Sequence, residues 1–314
     1  MKNKYINKRI LITGGNGFLG RHLVQKLKNS GYKNIYVVER ENYDLTIVDD
    51  IKRMYKDQQP DIVIHLAASV GGIGANMKNP AKFFYENSVM GIHTMHEGFL
   101  NKIDKFVFIG TICSYPKNCK VPFKESDLWA GYPEETNAPY GLAKKMGLVQ
   151  SMAYRDQYDF NSIYLLPVNL YGPGDNFSDE TSHVIPALIK KCINAVKNNL
   201  DNIEVWGTGK ATREFCYVED TAEGIILAME KYNESNPINI GAGFEISIKD
   251  LVYLIAKYTE FHGNIIWNKD KPDGQPRRML NTDLAKKHFG FKAKTKFEIG
   301  LRKTINWYKN NTIN

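Results

Sequence analysis

Seven residues, Gly14-Gly15-Asn16-Gly17-Phe18-Leu19-Gly20, constrain this chain most. They follow a strand-like Arg9–Thr13 directly and open a helix-like Phe18–Asn29, with Gly14, Gly17 and Gly20 spaced three apart. At such a junction the first glycine permits the tight turn, the second lets backbone approach a pyrophosphate, and the third packs helix on strand. Phosphate then meets the free N–H groups of the helix N-terminus, where the dipole favours an anion. A ligand-free tight turn needs similar glycines. What points to a dinucleotide is the loop's place at the first strand–helix junction.

The remainder of the first half repeats that unit. Strand candidates Ile35–Val38, Ile62–His65 and Phe106–Ile109 alternate with helical stretches Val48–Lys56 and Pro80–Asn101. A further helix begins around Tyr140, and a buried strand reads Ser162–Pro167. This alternation predicts an α/β fold, a Rossmann-type doubly wound parallel sheet with helices on both faces. At about 150 residues per domain, 314 residues suggest two domains. The first, 1–170, is the dinucleotide-binding domain, with 215–241 returning to it through helix Val218–Glu230 and strand Ile238–Ile240. The second, 171–314, is a smaller substrate-binding α/β domain. Long polar loops at Tyr115–Pro139, Gly172–Ser182, Gly207–Arg213 and Asn268–Arg278 are expected to carry function.

Charge narrows the partner. Lys plus Arg number 42 against 34 Asp plus Glu, a formal charge of +8, but the basic residues cluster no further than pairs such as Lys190-Lys191 and Arg277-Arg278. Nucleic-acid tails carry denser blocks, so an anionic small substrate is the better match. The N-terminal segment lacks a signal peptide's apolar stretch, and no run approaches the ~18 apolar residues of a membrane span. The four cysteines, Cys113, Cys119, Cys192 and Cys216, form neither a CxxC pair nor a metal-ligand spacing, so a reducing cytoplasm and no metal are expected.

Two further clusters carry chemistry. Tyr140 and Lys144 lie four apart on a helix and share a face. A free phenol titrates at ~10, and an adjacent ammonium and an oxidised nicotinamide favour its anion. Such a tyrosine protonates a carbonyl oxygen as hydride reaches its carbon. The spacing alone also fits a solvated helix face. A hydroxyl at Thr111, just past the strand Phe106–Ile109, adds weight to the catalytic reading. At the second strand's end, Glu39 stands 19 residues after Gly20 and suits ribose hydroxyls, whereas Arg40 suits a 2′-phosphate. NADP(H) and NAD(H) both stay open, as does a plain exposed ion pair.

Longer motifs join these: Val70-Gly71-Gly72-Ile73 with Ala75-Asn76, Gly110-Thr111-Ile112-Cys113-Ser114-Tyr115-Pro116-Lys117, and Glu135-Thr136-Asn137 leading to Tyr140. Further on stand Asn169-Leu170-Tyr171-Gly172-Pro173, Asp175-Asn176-Phe177, and Ser182-His183-Val184-Ile185-Pro186-Ala187. Trp206-Gly207-Thr208-Gly209, Arg213-Glu214-Phe215 and Lys271-Pro272-Asp273-Gly274 complete the set. Through them the chain resembles the extended short-chain dehydrogenase/reductase superfamily, and within it the GDP-L-fucose synthases, over nearly its whole length. Those enzymes epimerise and then reduce a GDP-linked 4-keto-6-deoxymannose.

The resemblance implies that Tyr140 and Lys144 serve reduction, that Thr111 holds the keto oxygen, and that Cys113 and His183 are base and acid of epimerisation. It lays the cofactor along Gly14, Gly15, Asn16, Gly17, Phe18, Leu19 and Gly20, then Glu39, Arg40 and Ala67. The same path runs on through Ile109, Gly110, Thr111 and Ile112, Lys144, Pro167, Val168, Asn169, Leu170 and His183. Asn169, Lys191, Trp206, Arg213 and Asp273 match substrate positions. A homodimer through Pro80–Asn101 and Tyr140–Gln157 is also implied. Two departures stand out. Ile112 replaces a common serine, and Asn16 replaces the basic residue usual in NADPH users.

The cysteine and histidine make chemical sense by themselves. A 4-keto group acidifies the protons on C3 and C5, and inverting either carbon takes a base on one face and an acid on the other. Reference pKa values of ~8.5 and ~6.5 suit that exchange. Thr111 and Cys113 are two apart, so an extended backbone turns both to one side. Each site residue has a plainer reading: Cys113 a buried thiol, His183 a helix cap, Lys191 a solvated lysine, Trp206 core packing, Arg213 a partner of Glu214 or Asp220, Asp273 a turn former. Rival activities are a redox-neutral nucleotide-sugar 4-epimerase with retained NAD, and a 4-reductase for a related GDP-4-keto sugar such as a heptose. A 4,6-dehydratase would want carboxylates where Ile112 and Cys113 stand.

Overall fold

The computed structural model describes residues 4–271 and 273–312; Pro272 of the Lys271–Gly274 motif lies outside them. In chain order the first half runs β1 (Ile10–Thr13), α1 (Phe18–Asn29), β2 (Ile35–Val37), α2 (Val48–Gln58), β3 (Ile62–His65) and α3 (Ile73–Lys78). It continues with α4 (Pro80–Leu100), β4 (Lys105–Ile109), α5 (Ala138–Tyr158) and β5 (Ser162–Pro167). The second half runs β6 (Asn169–Tyr171), α6 (Val184–Lys197), β7 (Asn202–Trp206), β8 (Thr212–Arg213), β9 (Phe215–Tyr217), α7 (Val218–Lys231) and β10 (Ile238–Ile240). β11 (Ile246–Ser247), α8 (Ile248–Thr259), β12 (Asn264–Asn268), β13 (Arg277–Arg278), α9 (Asp283–Phe289) and α10 (Phe297–Thr312) follow.

Six parallel strands form the main sheet in the order β10-β5-β4-β3-β1-β2. The alternating side chains of each strand explain how both faces are covered. Ile10, Ile12, Val107 and Ile109 point into one core, against Leu23 and Leu27 of α1 and Ile225 and Met229 of α7. Leu11, Phe106 and Phe108 point into the other, against Ile51 and Met54 of α2, Met95 of α4 and Leu148 of α5. Strands buried on both faces read as unbroken apolar runs, which is why they were legible. From β1 the chain moves outward to β2 and then back past β1 to β3, so a crevice opens beyond the carboxyl ends of β1 and β3.

A third core joins Ile185, Leu188 and Ile189 of α6 to Leu251 and Ile255 of α8 and Leu301 and Ile305 of α10. Small ladders border it: β7 with β12, β6 with β9, and β8 between β11 and β13. Three expected loops therefore hold structure. The loop Gly207–Arg213 ends in β8, Asn268–Arg278 ends in β13, and Tyr115–Pro139 contains a 3-10 turn at Glu125–Trp129. Two-residue strands have no periodicity to read. The extra helix α3 precedes α4 because Pro80 starts a new helix at its own first turn.

The glycine loop is close-packed. Gly14 adopts φ +69°, and a Cβ there would lie 2.8 Å from the Ala67 nitrogen. A Cβ at Gly20 would strike the Gly14 carbonyl oxygen, which is backbone and cannot yield. Gly20→Ala is thus expected to destabilise the protein by about 2 kcal/mol or more through overpacking, read as a drop in the denaturation midpoint; an unchanged midpoint would show that the loop can relax.

Candidate active site

At the crevice, α1 begins with Gly17 as its N-cap, with no side chain bonded over its end and no acidic residue in its first turn. Its first N–H groups face the glycine loop, the arrangement that receives a phosphate. Asn16 is exposed beside it. At the end of β2, Glu39 Oε2 accepts from Asn42 Nδ2 at 3.0 Å, and Arg40 pairs with Asp44 at 3.6 Å. The residues after β3 line the next stretch: Ala67 N donates to Thr13 Oγ1 at 3.2 Å, and the Ala67 carbonyl accepts from Lys144 Nζ at 3.1 Å. Beyond β5, Val168 N donates to Ile240 O at 3.0 Å, and Asn169 Nδ2 to Glu214 O at 3.0 Å, fixing the Pro167–Leu170 strip. This crevice fits an extended dinucleotide.

Tyr140 and Lys144 are both buried on α5. The phenol neighbours Thr111, and burial pushes its pKa up, so it rests as the neutral proton donor. Burial alone pushes Lys144 down to about 7. The expected lowering of the phenol by Lys144 is therefore not what dominates here, because desolvation outweighs it. Tyr164 on β5 donates to the Lys144 carbonyl at 2.8 Å and anchors this turn of the helix. A lysine with a native pKa near 7 and an ordinary one of 10.5 binds its proton more weakly folded than unfolded. Its burial penalty is full below pH 7 and fades as pH rises from 7 to 10.5. Lys144→Met should accordingly raise the melting temperature of cofactor-free protein at pH 6.5 by about 1.5 °C or more, about 1 kcal/mol at this size. The gain should shrink by pH 10, and a pH-independent difference would contradict the assignment.

Thr111 closes β4 differently from the extended path expected. Its Oγ1 accepts from Cys113 N at 3.2 Å and turns Ile112–Ser114 into a 3-10 helix. Thr111 and Cys113 nevertheless both border Tyr140. Gly141 of α5 packs on the Cys113 carbonyl, where a Cβ would not fit. Cys113 is free and half-buried rather than enclosed.

Sulfur neighbours were the main omission of the sequence reading. Cys113 Sγ lies 3.8 Å from Asn137 Oδ1 and 3.5 Å from Arg278 Nη1. Asn137 is held by Glu134, whose Oε2 accepts from its Nδ2 at 2.5 Å, and by Asn76, whose Nδ2 donates to Asn137 Oδ1 at 2.9 Å. Burial raises the Glu134 carboxyl, but bonds from Thr136 and Asn137 outweigh this and hold it below the usual range. Asn137 and Asn76 stood in motifs; Arg278 appeared as half of a basic pair, and only the alternation of β13, Arg277 out and Arg278 in, reveals its direction.

His183 is the N-cap of α6 yet makes no side-chain cap bond, which removes the simple capping reading. It is open to solvent while ringed by protein, and desolvation lowers its imidazole pKa. The Gly71-Gly72 turn backs this segment: Gly72 N donates to Thr181 O at 3.2 Å.

The substrate-side residues are placed unevenly. Trp206 is 47% exposed, not core, with Lys271 Nζ 5.2 Å over its ring. Arg213 pairs with neither Glu214, which accepts from the Ala242, Gly243 and Leu280 amides, nor Asp220, which accepts from Thr295 N. Its guanidinium donates to the carbonyls of Thr212 at 2.7 Å and Asp273 at 3.0 Å, and burial pushes it down to about 10. Asp273 accepts from Thr208 N and Thr208 Oγ1, each at 2.7 Å, which shapes this loop and leaves each carboxylate oxygen a further lone pair. Lys191 is exposed and bonded to the Glu204 carbonyl at 2.9 Å. No helix among the described residues is long and apolar enough to cross a membrane.

The chain is similar to known proteins over nearly its whole length. The GDP-L-fucose synthase of Sinorhizobium fredii is 37% identical over 304 residues, covering 97% of this chain and 96% of that protein. A GDP-6-OMe-4-keto-L-xylo-heptose reductase from C. jejuni superposes with a TM-score of 0.92 at 29% identity, over 98% of this chain and 99% of its own. The NADP-bound GDP-L-fucose synthetase of Naegleria fowleri gives 0.88 at 28% identity, over 97% and 94% of the two chains. Residues 10–241 match the NAD dependent epimerase/dehydratase family. By sequence, fold and crevice alike, the chain belongs to that family.

Proposed function

We propose that this protein is a nucleotide-sugar epimerase/reductase that converts a GDP-linked 4-keto-6-deoxymannose to GDP-L-fucose or a close relative. The observation that carries the reading is the convergence of a neutral, buried tyrosine, a threonine hydroxyl and an accessible cysteine at the end of β4. Redox-neutral 4-epimerisation uses the first two and leaves Cys113 and His183 without a task.

Cofactor-binding residues are those of the glycine loop, Ala67, Ile109–Ile112, Lys144, Pro167–Leu170 and His183; a bound NADPH or NADH supplies hydride to C4. The chain's own groups do the rest. Thr111 donates to the C4 oxygen. The Cys113 thiolate removes a proton from C3 or C5, the C–H electron pair passes to that oxygen, and His183, once it has taken up a proton, returns one from the other face. Tyr140 then delivers its proton to the C4 oxygen as C4 is reduced, and Lys144 compensates the phenolate. Arg213 and Lys191 suit the diphosphate, and the open face of Trp206 suits stacking against the ligand.

We read residues 1–170 with 215–241 as the nucleotide unit and 171–314 as the sugar unit. The setting is a reducing cytoplasm, supported by four free cysteines. A homodimer through α4 and α5 is supported by exposed Phe84, Tyr85 and Val149. The heptose-type neighbour favours a second reading, a 4-reductase without epimerase activity. The test is stoichiometry. The purified protein should hold little cofactor and should oxidise one NADPH or NADH per GDP-4-keto sugar. A full complement of retained NAD with no net oxidation would instead mark a 4-epimerase.

A further inference from the structure

We propose that Arg278 is a positioning residue for Cys113, holding the sulfur as the proton-abstracting thiolate while Asn137 takes the proton-bearing form. The proposal rests on the reading of Cys113 as the epimerisation base.

Its basis is a sulfur with one donor and one acceptor, each immobilised. Arg278 is 7% exposed, and its Nε is fixed to Gln275 Oε1 at 2.7 Å. Gln275 is itself pinned through its Nε2 to the carbonyls of Pro116 at 3.3 Å and Lys117 at 2.7 Å. That leaves Nη1 directed at Sγ, 3.5 Å away. A guanidinium has no acceptor and stays charged, so at this distance it can serve only a sulfur lone pair, and serves it best when the sulfur is anionic.

On the other side the Asn137 amide cannot turn over. Its Nδ2 is committed to the Glu134 carboxylate and its Oδ1 already accepts from Asn76. The atom it shows to Cys113 is therefore Oδ1, an acceptor for S–H at 3.8 Å. The two protonation states of the thiol thus each find a partner without side-chain rearrangement. When the thiolate takes a proton from carbon, the new S–H turns to Asn137; when it gives the proton up, the charge faces Arg278. Arg213 and Glu134 are the other charged groups near the pair, and Glu134 sits on the amide side, balancing the two arginines. Reduction at C4 runs through Tyr140 and needs none of this. The cradle serves epimerisation alone.

The experiment uses the full chain carrying Cys119→Ser, so that alkylation reports Cys113, the other half-buried thiol being removed. Three rates are compared: alkylation by iodoacetamide at pH 7.5, solvent-deuterium entry at C3 and C5 of a GDP-4-keto-6-deoxymannose, and hydride transfer to substrate already epimerised. Arg278→Gln should slow the first two about tenfold, the loss of one charge-assisted contact worth about 1.4 kcal/mol, and leave the third near wild type. Arg278→Lys, which keeps a charge, should restore most of both. Gln275→Ala, which keeps Arg278 but frees it, should give a smaller fall, and it decides the matter if the arginine variants do not fold. Unchanged alkylation and exchange in Arg278→Gln would overturn the proposal. So would equal loss of all three rates, which marks a structural role, or a lysine variant no better than glutamine. If Cys113→Ser retains full exchange, the base is elsewhere and the underlying reading fails, whereas the alkylation rates still judge the contact itself.

Discussion

Cys113→Ser is expected to cut deuterium entry at C3 and C5 by about 10²–10³-fold, the range for losing a positioned base. A serine hydroxyl fits the half-buried site and keeps the Thr111 bond, which goes to the backbone amide of residue 113. The fold and the cofactor crevice should therefore survive. What disappears is a group able to hold a proton reversibly near neutral pH, since an alcohol does not ionise there. Reduction should continue on the unepimerised ketone and yield a product with altered stereochemistry, detected by NMR of the released sugar. A variant that loses reduction and exchange together would mean that Cys113 supports the site structurally.

Tyr140→Phe is expected to produce the reverse pattern. Cofactor oxidation should fall by about 10³-fold, within the range for removal of a general acid, while cofactor binding and deuterium exchange persist. The phenylalanine ring occupies the same buried volume on α5 and gives up only the hydroxyl beside Thr111. Stopped-flow oxidation of the reduced cofactor measures the first effect and fluorescence titration the second. A phenylalanine variant reducing at near wild-type rate would assign the proton to another donor, Thr111 first among them.

Much of the fold was legible because buried parallel strands and glycine turns leave strong local marks. Ile10–Ile12 and Ile163–Leu166 are buried, largely apolar runs, and the loop between β1 and α1 needs glycine at Gly14 and Gly20 for steric reasons visible in the packing. The two-residue strands β8 and β13 left no such mark, and with them went the direction of Arg278. Among candidate site residues, spacing and chemistry singled out Tyr140, Lys144 and Thr111, and Thr111 closes β4 beside Tyr140 on α5. The bonds of the Asp273 carboxylate to Thr208 were not legible, because nothing in the sequence links a turn-former to a threonine 65 residues away. The backbone between Thr111 and Cys113 was misread for a related reason. A threonine hydroxyl that captures an amide two residues on converts an extended segment into a turn. Distant partners decide such cases, and Arg278, 165 residues from Cys113, is the clearest of them.

The central claim is that one site both epimerises and reduces. Its most direct test is turnover of a GDP-4-keto-6-deoxymannose by the wild-type protein in deuterated water with unlabelled NADPH or NADH, followed by mass and NMR analysis of the product. The account predicts solvent deuterium at both C3 and C5, protium from the cofactor at C4, and one cofactor oxidised per sugar. Hydride at C4 with no deuterium at C3 or C5 would contradict it and leave a simple 4-reductase.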